Sequence, residues 1–229
     1  MRRFGVLVVV VALFAGGGSR LARSQTTLAV PNLTADQVVS RVQSFYDSTA
    51  DYDADFTQTY FHRLFQKTQR SYGHVYIKKP GKMRWEYSRP ERKLFVSDAG
   101  TLWVYEPEAQ QAFRQSLANS QLPTAISFLA GGGNLGRDFR SRLLPAQAQG
   151  FSQGYVLELR PRQPSPAFDR LLFFVDPQTF MVVRTLVVDA PGNRNRMDFS
   201  NVHLNPGIPD ARFVFTPPSG TRIIDPGSP

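Results

Sequence analysis

The 229-residue sequence contains no cysteine. This absence excludes disulfide bonds, thiol catalysis and a lipid-modified cysteine at the N-terminus. Histidine is scarce as well, and the three histidines, His62, His74 and His203, show no metal-binding spacing. A Gly-x-Ser-x-Gly elbow and a phosphate-binding loop are also missing. The sequence therefore predicts a protein that is not an enzyme and that carries no metal or cofactor.

Long apolar runs are absent except for a short one near the N-terminus, at residues 5–15. Arg2 and Arg3 precede this run, and Ala22-Arg23-Ser24 follows it with small residues suited to a signal peptidase. The run is short for a membrane span. We expect a signal peptide at residues 1–24 and one domain at residues 25–229, with a retained membrane anchor as the alternative.

Acidic residues are outnumbered by basic ones, which gives a formal net charge of +9. Loss of residues 1–24 would remove four arginines and no acidic residue, and would leave a charge of +5. Such a moderately basic chain suits an approach to an anionic membrane or to an acidic protein surface. Nucleic-acid motifs are missing, so no nucleic-acid partner is expected.

Helix is predicted mainly at residues 34–48. Thr34 and Gln37 form a capping box, and apolar residues from Val38 to Tyr46 recur at helical spacing. The remaining pattern predicts strands at residues 54–61, 71–78, 82–87, 93–97, 101–105, 111–117, 139–144, 155–160, 170–175, 182–189, 196–201 and 211–215. Short connections predict antiparallel neighbours, and a meander of this length should curl into a barrel or half-barrel.

Residues 93–117 predict a sheet region that is apolar on both faces. Leu94, Val96, Leu102 and Val104 are assigned to one face, and Phe95, Trp103, Tyr105 and Phe113 to the other. A sheet in water normally keeps one face polar, and this chain offers little helix to cover a second apolar face. A bound apolar ligand is therefore a candidate cover.

Two further segments are candidates for the same function. Met83, Trp85 and Tyr87 alternate with charged residues, which places them together on one face of a strand. They line either a ligand site or an ordinary core. Residues 122–130 predict a short helix with Leu122, Ile126 and Leu129 on one side. This helix forms either a lid or a plug at the end of the barrel.

Five segments carry a family resemblance. They are Asp55-Phe56-Thr57-Gln58, Lys79-Pro80 followed by Met83-x-Trp85, Leu94-Phe95-Val96-Ser97-Asp98, Thr101-Leu102-Trp103-x-Tyr105, and Phe213-x-Phe215-Thr216-Pro217-Pro218-x-Gly220. Their order and spacing cover nearly all of the expected mature chain. On these segments the chain resembles the periplasmic outer-membrane lipoprotein carrier family, LolA.

The resemblance implies a fold and a site. The fold is an unclosed, strongly curved antiparallel half-barrel of about 11–12 strands with a helical lid over an apolar cavity. The family's cavity positions correspond to Met83 and Trp85, and the apolar faces described above add Tyr87, Phe95, Trp103 and Phe113 to the predicted cavity. An arginine before the proline latches the lid in the family, and Lys79 stands at that position here. Lysine keeps the charge but lacks the planar fork of arginine.

The resemblance also implies a function: a monomeric carrier in the periplasm that shelters the acyl chains of lipoproteins between the inner and the outer membrane. Its expected partners are acylated lipoproteins, an inner-membrane lipoprotein-releasing ABC transporter, and an outer-membrane acceptor or the outer membrane itself. One alternative is a lipid- or lipoprotein-sensing binding module of the same fold. An enzyme acting on envelope lipid is a further alternative, but it would need a polar catalytic cluster that the sequence does not show.

Overall fold

Twelve strands form one sheet in the computed structural model, which describes residues 30–117, 128, 131 and 133–225. The strands are β1 (Asp51–His62), β2 (Lys67–Lys78), β3 (Lys82–Arg89), β4 (Lys93–Asp98), β5 (Thr101–Glu106), β6 (Gln111–Ser116), β7 (Phe139–Leu144), β8 (Tyr155–Pro161), β9 (Arg170–Val175), β10 (Val182–Val188), β11 (Arg194–Leu204) and β12 (Arg222–Ile224).

The predicted helix is confirmed as α1 (Ala35–Ser48). Thr34 caps it and forms the predicted capping box with Gln37, so two backbone amides that lack helical partners are satisfied. Val38 and Val42 are fully buried on one side of the helix. A second helix, α2 (Leu135–Asp138), is a single turn before β7. The described helices include none with the length and apolar character of a membrane span.

The strand order is β12-β6-β5-β4-β3-β2-β1-β11-β10-β9-β8-β7, and the two edge strands do not pair with each other. The sheet is thus large and unclosed, as predicted. Its two blocks of consecutive strands meet where β1 pairs with β11. Since β6 and β7 lie near opposite edges, the connection between them joins the two sides of the sheet. Phe128 and Gly131 belong to this connection.

One face of the sheet, here called the inner face, carries the main hydrophobic core. Met83 on β3 and Leu157 on β8 belong to the same buried cluster, although several strands separate β3 from β8 in the sheet. This requires the sheet to curve around the core. Helix α1 packs into the same cluster through Val38, Val42 and Tyr46. The inner face is therefore wrapped around the helix.

The prediction of a strand at residues 211–215 is wrong. Asp210–Phe213 forms a 3-10 turn instead, and the short strand β12 follows it. β12 pairs parallel with β6, whereas only antiparallel neighbours were expected. This pairing joins segments far apart in the chain, so no short connection predicts it.

Candidate functional site

The strand registers define which side chains share the inner face. Directly paired residues of antiparallel strands point to the same side of a sheet. Val75 pairs with Trp85, which pairs with Phe95, and Phe95 pairs with Val104. Val104 in turn pairs with Phe113. This apolar row continues the core toward the β6 edge of the sheet.

Five of the six predicted cavity residues lie together on this inner face. Met83 and Trp85 are 1% and 2% exposed, whereas Tyr87, Phe95 and Phe113 are only partly buried. Aromatic contacts link most of them: the Phe56 ring lies 5.1 Å from Trp85 and 4.8 Å from Tyr87, and Tyr87 lies 5.6 Å from Phe95. Burial raises the pKa of the Tyr87 hydroxyl, which keeps this side chain neutral.

Trp103, the sixth predicted residue, does not belong to this group. It pairs with Val96 and Arg114 on the opposite face, here called the outer face. Its ring lies 5.7 Å from that of Phe215 in the C-terminal segment. The predicted grouping of faces around the β4–β5 hairpin was wrong, because Ser97 pairs with Leu102 across the turn. Leu102 consequently shares a face with Phe95, and Trp103 shares a face with Leu94.

The apolar outer face of β4 and β5 is covered by the chain itself. The 3-10 turn Asp210–Phe213 packs against β3 and β4, and Phe213 is 1% exposed. Asp210 is held there by Lys78 and Lys82 at 2.7 and 2.8 Å. These side-chain hydrogen bonds lower the pKa of Asp210 to about 2. The second apolar face therefore needs no ligand as its cover.

α1 and Phe128 cover part of the inner face. The Tyr46 ring lies 6.3 Å from Tyr52 and 5.2 Å from Phe128, and Phe128 reaches Phe173 on β9 at 5.9 Å. A cavity beside Tyr46 and Val182 has a volume of only about 10 Å³, at the lower limit for a single water molecule. An acyl chain would enter this packed interior only after part of the cover moved.

One polar atom in this interior lacks a partner. Among the described residues, the indole Nε1 of Trp85 is buried without a hydrogen-bond acceptor. An unsatisfied buried donor carries a desolvation cost of about 1–3 kcal/mol. A ligand acceptor near Trp85 would remove this cost, and the ester carbonyl of an acyl chain has the required chemistry.

Lys79 lies where the cover meets the sheet. Its ammonium donates to the carbonyl of Tyr46 in the last turn of α1, and its backbone N–H donates to Ala50 at 2.9 Å. The last turn of α1 contains no basic residue of its own, so Lys79 supplies the positive charge that a helix C-terminus favours. Burial lowers the pKa of Lys79, and the nearby Asp47 partly offsets this effect.

The Lys79 stem also contacts the connection between β6 and β7. Gly131 has a φ of +86°, and a Cβ there would lie 2.8 Å from Cδ of Lys79. Lys79 thus contacts both α1 and this connection. The hydrogen bond of its ammonium goes to α1. The predicted lid residues Leu122, Ile126 and Leu129 lie outside the described residues.

The inner face becomes polar and open toward one end. A cavity of about 250 Å³ is lined there by polar side chains of β1 and β2, with Tyr87 and Phe95 at its inner border. The lining residues from β1 and β2 are Gln58, Tyr60, Gln69 and Ser71. The half-buried aromatic residues therefore connect the closed core with this open end.

Sequence reasoning missed three core residues that contribute to the site. Phe56, Phe173 and Phe128 each fill the interior of the curved sheet. Alternation along β1 is a signal for Phe56, since it shares parity with Ala54 and Tyr52. Phe128 had no comparable signal, because its contacts with Tyr46 and Phe173 depend on how a long connection folds back.

The acidic cluster at the start of β1 has a structural explanation. Asp51 accepts backbone hydrogen bonds from Gly207 and Ile208 at 3.1 and 2.9 Å. Asp53 and Asp55 contact the two ring nitrogens of His74 at 3.1 and 2.7 Å. Within the described ranges these groups form no site able to hold a metal ion.

Known proteins resemble this chain over most of its length. The family model "Outer membrane lipoprotein carrier protein LolA" matches residues 47–216. The chain is 29% identical to an outer-membrane lipoprotein carrier protein of Chromobacterium violaceum over 81% of this chain and 86% of that protein. It is 31% identical to the one of Methylibium petroleiphilum, over 75% of this chain and 81% of that protein.

One solved structure is similar to this chain in its fold alone. An uncharacterized conserved protein from Thermus thermophilus aligns with a TM-score of 0.52 at 14% identity, covering 83% of this chain and 98% of its own. The family match covers well over half of the chain, and it agrees with the resemblance found in the sequence. The chain therefore belongs to the LolA family of outer membrane lipoprotein carrier proteins.

Proposed function

We propose that the protein is a periplasmic carrier that shelters the acyl chains of lipoproteins against the inner face of its curved sheet. It receives them from a lipoprotein-releasing ABC transporter in the inner membrane and delivers them to an outer-membrane acceptor or to the outer membrane. Membership in a family of lipoprotein carriers supports this proposal. So do the matching relatives, which bear the same name.

The observation that carries the proposal is the continuous apolar inner face with a non-covalent cover. Met83, Trp85 and Phe56 belong to the same buried cluster as α1 and Phe128, and α1 is a separate element that packs against β7 and β8. Each methylene removed from water contributes about 0.8 kcal/mol, so an acyl chain requires such shelter in the periplasm. A movable cover allows both shelter and release.

The cover is held by few polar contacts. The Tyr46 hydroxyl accepts a hydrogen bond from the Val182 amide at 3.2 Å, and Gln43 accepts one from the Leu135 amide at 3.0 Å. Lys79 adds the contact with the Tyr46 carbonyl. Each such contact contributes about 0.5–1.5 kcal/mol, which cargo binding can overcome. Opening therefore consists of α1 and Phe128 moving away from the inner face.

Two adjacent residues of β4 provide a matched test. Phe95 points to the inner face and Leu94 to the outer face, and both are partly buried. A charge at Phe95 would lie in the acyl-chain site and should weaken binding of a triacylated lipopeptide by at least about tenfold. The same charge at Leu94 should leave affinity near that of the parent protein.

The measurement is lipopeptide titration followed by tryptophan fluorescence, on folded Phe95→Glu and Leu94→Glu proteins. Mass spectrometry of lipid that co-purifies from the periplasm gives the cargo class independently. Equal affinity of the two variants would refute the inner face as the binding surface.

A further inference from the structure

The tip of the β1–β2 hairpin exposes two consecutive large apolar side chains. Leu64 is 79% exposed and Phe65 is 65% exposed, the highest values for large apolar residues in the described part of the chain. Scattered single apolar residues on a surface are ordinary, but an adjacent pair at a protruding turn is a candidate contact site.

Hydrogen bonds and a ring contact fix the conformation of the hairpin tip. The Arg63 amide donates to Asn193 Oδ1 at 2.9 Å, and its guanidinium donates to the Pro191 carbonyl at 3.2 Å. The His62 and Phe65 rings lie 4.5 Å apart. The neighbouring β10–β11 turn thus fixes the hairpin end. Because the tip is already ordered, little conformational entropy is lost when a partner buries Leu64 and Phe65.

The surroundings of the tip are basic. Between Asp55 and Glu86 the sequence contains seven lysines and arginines and no acidic residue, and Arg63, Lys67 and Arg70 are the basic residues nearest the tip along the chain. A groove of about 450 Å³ on the outer face adjoins the tip and contains Arg63, Arg170 and Arg194. No acidic residue is among its lining residues, which include apolar Leu172, Leu186 and Val188. An apolar pair beside such a groove matches a lipid surface with anionic headgroups.

The tip lies at the same end of the sheet as the open side of the inner face. β1 and β2 run from the closed core around Tyr52 and Ile77 to the tip, and Gln58 and Gln69 line the open cavity on the way. A protein docked through the tip would therefore turn this open end toward the lipid surface.

We propose that the hairpin tip is a docking site for bilayers that contain anionic phospholipid. Leu64 and Phe65 insert at the headgroup boundary, while Lys67, Arg70 and two groove arginines, Arg63 and Arg194, bind phosphate oxygens. This docking goes beyond carriage of lipoproteins and does not depend on it, because it requires no cargo on the inner face.

The test is flotation of the cargo-free protein with vesicles of phosphatidylglycerol and phosphatidylethanolamine. The parent protein should bind these vesicles and bind phosphatidylcholine vesicles more weakly. Leu64→Ser with Phe65→Ser should lower the vesicle affinity by about tenfold or more, since two large apolar side chains are lost from the interface. Both residues are exposed, so the fold and the lipopeptide affinity should not change.

Val214 and Ile223 provide the matched control, because they are 64% and 50% exposed on the C-terminal segment. Val214→Ser with Ile223→Ser should bind vesicles as the parent does. Lys67→Gln with Arg70→Gln should lower binding about fivefold or more and weaken its salt dependence.

Three results would overturn the proposal. The first is a parent protein that does not float with anionic vesicles. The second is equal loss of binding in the tip and control pairs. The third is a parent dimer that the tip pair converts to a monomer in size-exclusion chromatography, which would assign the tip to contact between two copies.

Discussion

The two sides of the inner face differ in how firmly they are filled. On the β8–β9 side, Leu157, Leu159 and Phe173 have no exposed surface. On the β3–β6 side, Tyr87, Phe95 and Phe113 remain partly buried, and the first two border the open cavity. The comparison indicates that the β8–β9 side is the more firmly packed, and that the partly exposed rings of the β3–β6 side are the ones accessible to a ligand.

The outer face explains part of this difference. β8 and β9 are also apolar on the outer face, where Val156 and Phe174 are covered by Phe151 from the β7–β8 connection. Buried Glu158 is fixed beside them by Arg142 at 2.8 Å. Burial raises the pKa of Glu158, but the hydrogen bonds from Arg142 and Arg160 outweigh it and leave the pKa below its ordinary value. Packing on both faces anchors this side.

The largest expected contrast is in stability. Phe173→Ala should lower the free energy of unfolding by about 3–5 kcal/mol, because it leaves a cavity in a fully packed region. Phe95→Ala should lower it by only about 1 kcal/mol, because part of that ring is already in water. Chemical denaturation of both variants measures the difference. Similar losses would show that the two sides are equally firm.

The next largest effect is expected from loss of the contact between Lys79 and α1. Lys79→Met should destabilise the closed cover by about 1 kcal/mol, since the Tyr46 carbonyl loses its charged donor. Hydrogen exchange in the last turn of α1 should become faster, whereas Lys79→Arg should keep it slow. Exchange that is unchanged in Lys79→Met would make Lys79 an ordinary surface charge.

A smaller effect is expected from the unpartnered indole of Trp85. If the ester carbonyl of cargo accepts its hydrogen bond, the parent protein should prefer ester-linked over ether-linked lipopeptide by about two- to tenfold. Trp85→Phe should bind both analogues equally, whatever its effect on packing. A preference that persists in Trp85→Phe would assign it to another donor.

The sequence predicted the strands well because their alternation is local, and it predicted α1 because its capping box is local. It did not predict the face of Trp103. That face depends on the turn after Ser97, where Asp98 accepts hydrogen bonds from the Gly100 and Thr101 amides. A shift of one residue in such a turn moves every following side chain to the other face.

The cover of the outer face was equally unpredictable. It depends on Asp210 meeting Lys78 and Lys82, which are far away in the sequence. Met83, Trp85 and Tyr87 could be identified because they alternate with charged residues or serine along β3. The cover of the inner face could not be predicted, because Phe128 and α1 join its core through non-local packing.

The smallest effect is expected at acidic pH, on the C-terminal cover of the outer face. The pKa of Asp210 is lowered from 3.8 to about 2, so its stabilising contribution is present above 3.8 and is lost as the pH falls through about 2. In a Trp85→Phe background, Trp103 fluorescence should report release of the Phe215 segment over this range. Asp210→Asn should abolish this pH dependence, and an unchanged profile would exclude Asp210 as its origin.

The most direct test of the central claim is the distance between α1 and the sheet with and without cargo. Because the chain contains no cysteine, Ser44→Cys on α1 and Ser200→Cys on β11 accept unique spin labels, and both positions are exposed. We expect one narrow distance without ligand and a longer, broader distribution when a triacylated lipopeptide binds. An unchanged distance at saturating lipopeptide would contradict opening of the inner face.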